Sequence, residues 1–126
     1  MRQHLKKNNI PVPPFYYLKQ HETFIPNSYP VIVKPADRSG SRGITLVESK
    51  EDIASAVKLA FEESFSKEVL IESFVNGREF SVESVSYNGG HKILQVTEKF
   101  TTGSPGFIEK GHTCPARITK HERCLI

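Results

Sequence analysis

The chain has only two cysteines, Cys114 and Cys124, ten positions apart and without a CxxC pair. His112-Thr113-Cys114 is half of a metal-ligand pattern whose other half is missing. The two thiols therefore read as free, in a reducing compartment. No apolar run approaches membrane-spanning length. The basic N-terminus is not followed by the apolar core of a signal peptide. A cytoplasmic location with no membrane partner is the expectation. Charge of either sign is also scarce in excess: 17 basic against 14 acidic residues leave +3. That balance suits a phosphate ligand and is too small to argue for nucleic acid. Internal repeats and low-complexity segments are lacking. What remains is a soluble globular chain of 126 residues, long enough to bury a core.

Along the chain, residues 1–9 read as the end of a helix, stopped by Ile10-Pro-Val-Pro-Pro14. Residues 15–28 show no strong period. Strands are expected at 31–34 and 44–48. A helix should follow, with Ser49 as N-cap and Asp52 in a box-like position three residues on. Ile53, Ala56, Val57, Ala60 and Phe61 fall on one face of it at helical spacing. Val69 to Glu72 reads as a short strand. Residues 79–87 alternate, Asn88-Gly89-Gly90 signals a hairpin turn, and a return strand at about 91–101 carries Leu94, Val96 and Phe100 on one face. The remainder reads as loop, then a short helix. This order is an α+β pattern rather than a series of βαβ crossovers.

The chemistry-bearing stretch is Tyr29-Pro-Val-Ile-Val-Lys-Pro-Ala-Asp-Arg-Ser-Gly-Ser-Arg-Gly-Ile44. A strand delivers Lys34, and a loop of glycine, serine and arginine follows. Glycine lets backbone N–H groups approach an anion, and arginine adds fork-like donors. A lysine at a strand end can also simply reach water, and such a loop can be a solvated hairpin. The loop is not a Walker-type P-loop or a Rossmann fingerprint, because a strand follows it rather than a helix. Glu72 closes an apolar strand and Glu79 follows a turn. Both read either as acceptors for amino or hydroxyl groups or as solvated surface acids. In Glu98-Lys99 only one of the two can face a site. Glu109 and His112 fall in what reads as a polar loop, placed for surface exposure or for substrate contact. A nucleic-acid role for the Arg38–Arg42 loop lacks interleaved aromatics.

Taken in order, Pro30-Val-Ile-Val-Lys-Pro35, Ser39-Gly-Ser-Arg-Gly43, Val69 to Glu83 and Phe107 to Ala116 resemble the ATP-grasp superfamily. The match extends over about residues 1–120 and lies nearest the carboxylate–amine ligase branch, with L-amino-acid ligases and the carbamoyl-phosphate synthetase large chain. The resemblance implies an ATP-grasp lid subdomain of antiparallel sheet with helices, plus part of the central sheet. Residues 1–28 would be a helix end and linker, 29–75 the lid, and 76–126 a truncated part of the core.

The resemblance also implies roles. Lys34 would contact the α-phosphate, and Ser39, Gly40, Ser41, Arg42 and Gly43 would close over the β- and γ-phosphates. Glu72 would meet the adenine amino group, with the backbone of Ser73 and Val75 as hinge. Glu79 would accept from ribose hydroxyls. Glu109 and His112 would lie near the amino-acid substrate or the transferring phosphoryl group. The implied reaction forms an acyl phosphate from ATP and a carboxylate, with Mg²⁺ on the phosphates. The family's magnesium-binding glutamate and Glu-x-Asn pair are not found, so the expectation is a fragment that binds ATP and is inactive alone. A non-catalytic nucleotide-binding or regulatory module is the alternative. Neither the carboxylate nor the amine can be named, and a homo-oligomer is left open.

Overall fold

The structure, a computed structural model, describes residues 1–126. The chain divides into two compact units. The first comprises Met1–Asn76 with Gly103–Ile108, and the second Gly77–Thr102 with Glu109–Ile126.

In the first unit, helix α1 (Arg2–Lys7) precedes strand β1 (Phe15–Lys19), β2 (Val31–Pro35), β3 (Thr45–Val47), helix α2 (Ile53–Glu63) and β4 (Glu68–Ser73). The strands form one antiparallel sheet in the order β1-β4-β2-β3. Val33 lies opposite Ile71 on one side of its strand pair and opposite Thr45 on the other. Side chains alternate across a sheet, so the two faces separate cleanly. Val31, Val33, Val69 and Ile71 share one face and join Leu18, Val47, Ile53, Ala56 and Ala60 in the core. Each fully buried valine, leucine or isoleucine there contributes roughly 1.5–3 kcal/mol. Ile32, Lys34, Leu70 and Glu72 share the opposite face by the same register.

Helix α2 buries Ile53, Ala56 and Ala60, with Val57 and Phe61 packed beside them, as the spacing predicts. Its start differs from the expected box. Asp52 is the N-cap residue and makes no side-chain cap. The Ser49 hydroxyl donates to the Asp52 carboxylate at 3.0 Å instead, so both capping groups are used on each other. Strand β1, for which the sequence gives no period, pairs with β4 from Phe15↔Glu72 to Lys19↔Glu68 and buries Leu18.

The second unit is an antiparallel meander, β5 (Glu79–Tyr87), β6 (Gly90–Thr101) and β7 (Glu109–Thr113), followed by helix α3 (Lys120–Cys124). Asn88 (φ 45°) and Gly89 (φ 78°) form the two-residue turn between Tyr87 and Gly90. Two positive φ values are what a tight hairpin needs. The β5–β6 register shifts so that Glu83 faces Gln95 and Ser84 faces Ile93, leaving Leu94 unpaired. Leu94 is consequently exposed; Phe100 is exposed as well, and Val96 and Glu98 are the buried residues of β6.

Arg78 ties this unit together. Its guanidinium forks onto Glu98 at 2.8 and 2.9 Å, donates to the Arg117 carbonyl at 2.6 Å, and lies over the Phe80 ring. The two hydrogen bonds from Arg78 hold the Glu98 carboxyl below the usual carboxylate range. The Arg78 charge adds to this and burial opposes it. Helix α3 starts with a complete capping box, Thr119 with Glu122. Cys114 and Cys124 are free and exposed. No helix is long and apolar enough to cross a membrane.

Candidate nucleotide site

In the first unit, Lys34 and Glu72 stand on the sheet face opposite the core, on the neighbouring strands β2 and β4. The Lys34 ammonium pairs with Glu72 Oε1. Glu72 is only 7% exposed, which removes the reading of a solvated surface acid. A second cation comes from α1. Arg2 Nη2 lies 3.0 Å from Glu72 Oε2 and 3.3 Å from Oε1. Glu72 Oε2 and Arg2 Nε are both buried without a hydrogen-bond partner.

Lys34 leads into the glycine loop. Asp37 fastens the start of that loop by accepting from the Ser64 hydroxyl and the Ser66 N–H. Burial works against the Asp37 charge, but these bonds outweigh it and hold the carboxyl below its ordinary value. Arg38 pairs with Glu63 at 3.2 Å and stacks over the Phe65 ring at 4.3 Å. Ser39, Gly40 and Arg42 are exposed at the loop tip. The Ser41 hydroxyl donates to the Phe107 carbonyl at 2.9 Å. Gly43 closes the loop at φ +67°, against Pro35 and Glu63.

The expected hinge at Ser73 and Val75 follows β4. The Ser73 N–H donates to the Pro14 carbonyl at 2.9 Å and the Phe74 N–H to the Pro30 carbonyl at 3.1 Å. A backbone ligand contact from Ser73 is therefore left to its carbonyl oxygen, which has two lone pairs. Val75 is exposed.

In the second unit, Glu109 and His112 lie on β7 and not in a loop. Residues three apart on a regular strand face opposite ways. Here β7 carries one extra residue: Phe100 pairs with Gly111 and Thr101 with Glu109, leaving Lys110 as the bulge. Glu109 and His112 are thereby brought to one face, 3.2 Å apart. Lys99, paired with Glu79 and His112 across the sheet, shares that face. Its ammonium lies 3.7 Å from Glu79 and 3.6 Å from Glu109. Of the neighbours Glu98 and Lys99, Lys99 joins the cluster, and Glu98 is buried and paired with the exposed Arg78. The sequence reading missed Arg2 and did not choose Lys99. Arg2 sits in a short polar helix with no motif around it. For Lys99 the strand alternation was the available signal.

In the first unit the side chains present suit a polyphosphate nucleotide: a lysine at the root of a glycine loop with a buried carboxylate beside it. No group of three or more His, Cys, Asp or Glu side chains is arranged to hold a metal ion.

A family model for the ATP-grasp domain matches residues 27–125, and the chain belongs to the ATP-grasp family. Among curated proteins it is 33% identical to a D-alanine–D-alanine ligase of Flavobacterium psychrophilum, with 97% of this chain and 40% of that protein covered. It is 30% identical to the enzyme of that name in Geobacter sulfurreducens, covering 92% and 39%. The chain thus spans about two fifths of the length of these relatives. Among solved structures it is similar to an L-amino acid ligase from Bacillus licheniformis, with a TM-score of 0.80, 24% identity, and 98% and 28% of the two chains covered. D-alanyl-alanine synthetase A from Vibrio cholerae gives a TM-score of 0.74 at 26% identity, with 98% and 41% covered. The α+β architecture is that of the ATP-grasp ligases.

Proposed function

We propose that this chain is the ATP-binding portion of an ATP-dependent carboxylate–amine ligase that works through an acyl phosphate. The observation that carries the reading is the placing of Lys34 and Glu72 side by side at the root of the glycine loop, on the face away from the core. Residues 29–75 act as the lid subdomain and 76–126 as part of the core. Lys34 binds the α-phosphate. Backbone N–H groups of Ser39, Gly40, Ser41, Arg42 and Gly43 cover the β- and γ-phosphates. Glu72 accepts from the adenine amino group, helped by the Ser73 carbonyl and the Val75 backbone, and Glu79 accepts from the ribose. Glu109 and His112 meet the carboxylate substrate or the transferred phosphoryl group, and Lys99 offsets negative charge beside them.

In the reaction, a substrate carboxylate oxygen attacks the γ-phosphorus and the bond to ADP breaks. An amine then attacks the acyl carbon and inorganic phosphate leaves. Positioning and charge neutralisation are the main contributions a protein makes to such a step. The relatives' names support an amino acid as the carboxylate donor. Magnesium, which in this chemistry neutralises phosphate charge, would arrive with the nucleotide. The carboxylates of this chain do not make a metal site by themselves.

Calorimetry tests the reading. The 126-residue chain should give binding heat with Mg·ATP at millimolar concentration and release no phosphate. Lys34→Met should weaken binding about tenfold or more, the loss expected for one charged hydrogen bond. A folded wild-type chain that gives no heat would overturn the proposal.

A further inference from the structure

The carboxylate assigned to the adenine contact has two cations, and only one of them belongs to the phosphate site. We propose that Arg2 is a positioning residue that sets the choice of base: it holds the Glu72 carboxylate oriented for a purine bearing a 6-amino group. This rests on the nucleotide reading of Lys34 and Glu72 given above.

Arg2 and Lys6 lie four apart on α1, on one side of the helix. Arg2 reaches Glu72, and the Lys6 ammonium lies 5.9 Å from the Phe15 ring centroid. Phe15 pairs with Glu72 across the sheet, so the helix lies along the strand end that carries the carboxylate. Glu72 is nearly closed off from water at 7% exposure. A buried carboxylate that loses its partners is strongly destabilised. Lys34 satisfies Oε1 in the free protein. Once its ammonium turns toward an α-phosphate, Glu72 stays paired only if a second cation remains beside it. Arg2 is that cation, because it approaches from α1, outside the glycine loop.

The geometry also leaves an acceptor available. Oε2 sits 3.0 Å from Arg2 Nη2 yet lacks a well-formed hydrogen bond. An amino group donating to Glu72 would complete it. A 6-oxo purine presents a carbonyl oxygen there and would face the carboxylate with like charge. Specificity of this kind comes from leaving a buried polar group unpaired with the wrong ligand.

The test is calorimetric titration of the wild type, Arg2→Met, Arg2→Gln and Arg2→Lys with the magnesium complexes of ATP, ITP and purine riboside triphosphate, after circular dichroism has checked folding. Wild type should prefer ATP over ITP about tenfold or more, one charged hydrogen bond's worth. Arg2→Met and Arg2→Gln should lose most of that preference by weakening ATP alone. Arg2→Lys should restore it to within about threefold, since the charge is kept and the fork is lost. If wild type binds none of the three, the nucleotide reading fails and this inference with it. If wild type binds ATP with a preference that both neutral variants retain, the inference alone fails. It fails likewise if they weaken all three nucleotides equally. If both neutral variants unfold while Arg2→Lys folds, the contact serves stability, and the inference is overturned.

Discussion

At Gly43 the backbone stands at φ +67°, and a Cβ there would lie 3.0 Å from Glu63 Cβ and 3.0 Å from Pro35 Cγ. Neither neighbour is the far end of a flexible side chain. Gly40, three residues earlier, has nearly the same φ, +69°, but open space around it. The two glycines therefore separate backbone strain from crowding. Gly40→Ala should cost about 1–2 kcal/mol for the left-handed conformation. Gly43→Ala should cost about 2–4 kcal/mol, with overpacking added to the same strain. Urea unfolding measures both, and equal shifts would contradict the crowding. Lys34 was legible in the sequence because an apolar strand ended on it and a glycine loop followed. Glu72 was legible as a candidate, but its burial was not. That depends on β1, which the sequence does not announce, covering the far edge of β4.

Among the elements, the central strand β4 was the easiest to read. It runs Val69-Leu70-Ile71, all buried, because β1 and β2 flank it on both edges. The edge strand β1 escaped notice because its alternation is blurred by aromatics that are only partly buried. Leu18 is its single fully covered residue, 1% exposed. Leu18→Ala should cost about 2–5 kcal/mol and expose the amide protons of β1 and β4 to exchange. Faster exchange confined to β1 would show that β4 does not depend on it. Strand β7 hid for a different reason. Glu109-Lys-Gly-His-Thr113 contains few residues that favour strands, and its bulge breaks the alternation that marks one. The same bulge aligns Glu109 with His112, so the feature that made the strand illegible is also the one that assembles the cluster. The hairpin between β5 and β6 was readable from Asn88-Gly89 alone, because the local turn chemistry dictates it.

At the scale of the whole molecule, several carboxylates are held below their ordinary values: Asp37 by hydrogen bonds from Ser66 and Ser64 against burial, Glu98 by Arg78, and Glu122 by Thr119. A carboxyl whose folded value is depressed contributes stability fully above its unfolded value, about 4. It loses that contribution as pH falls through the folded value. The melting temperature should hold between about pH 7 and 5 and drop below about pH 4. Thermal unfolding across that range checks this, and an unchanged melting temperature at pH 3 would count against it. The boundary between the two compact units is likewise a property of the whole chain. It is crossed after Asn76, after Thr102 and after Ile108. The segment Gly103–Ile108 belongs with the first unit, where Phe107 accepts from Ser41 and rests its ring 6.2 Å from Phe74. The first compact unit is therefore discontinuous in sequence. A chimera that exchanges residues 1–76 between two relatives separates Phe74 from the Phe107 ring beside it. One that carries 103–108 along with 1–76 transfers the glycine loop together with its fastening.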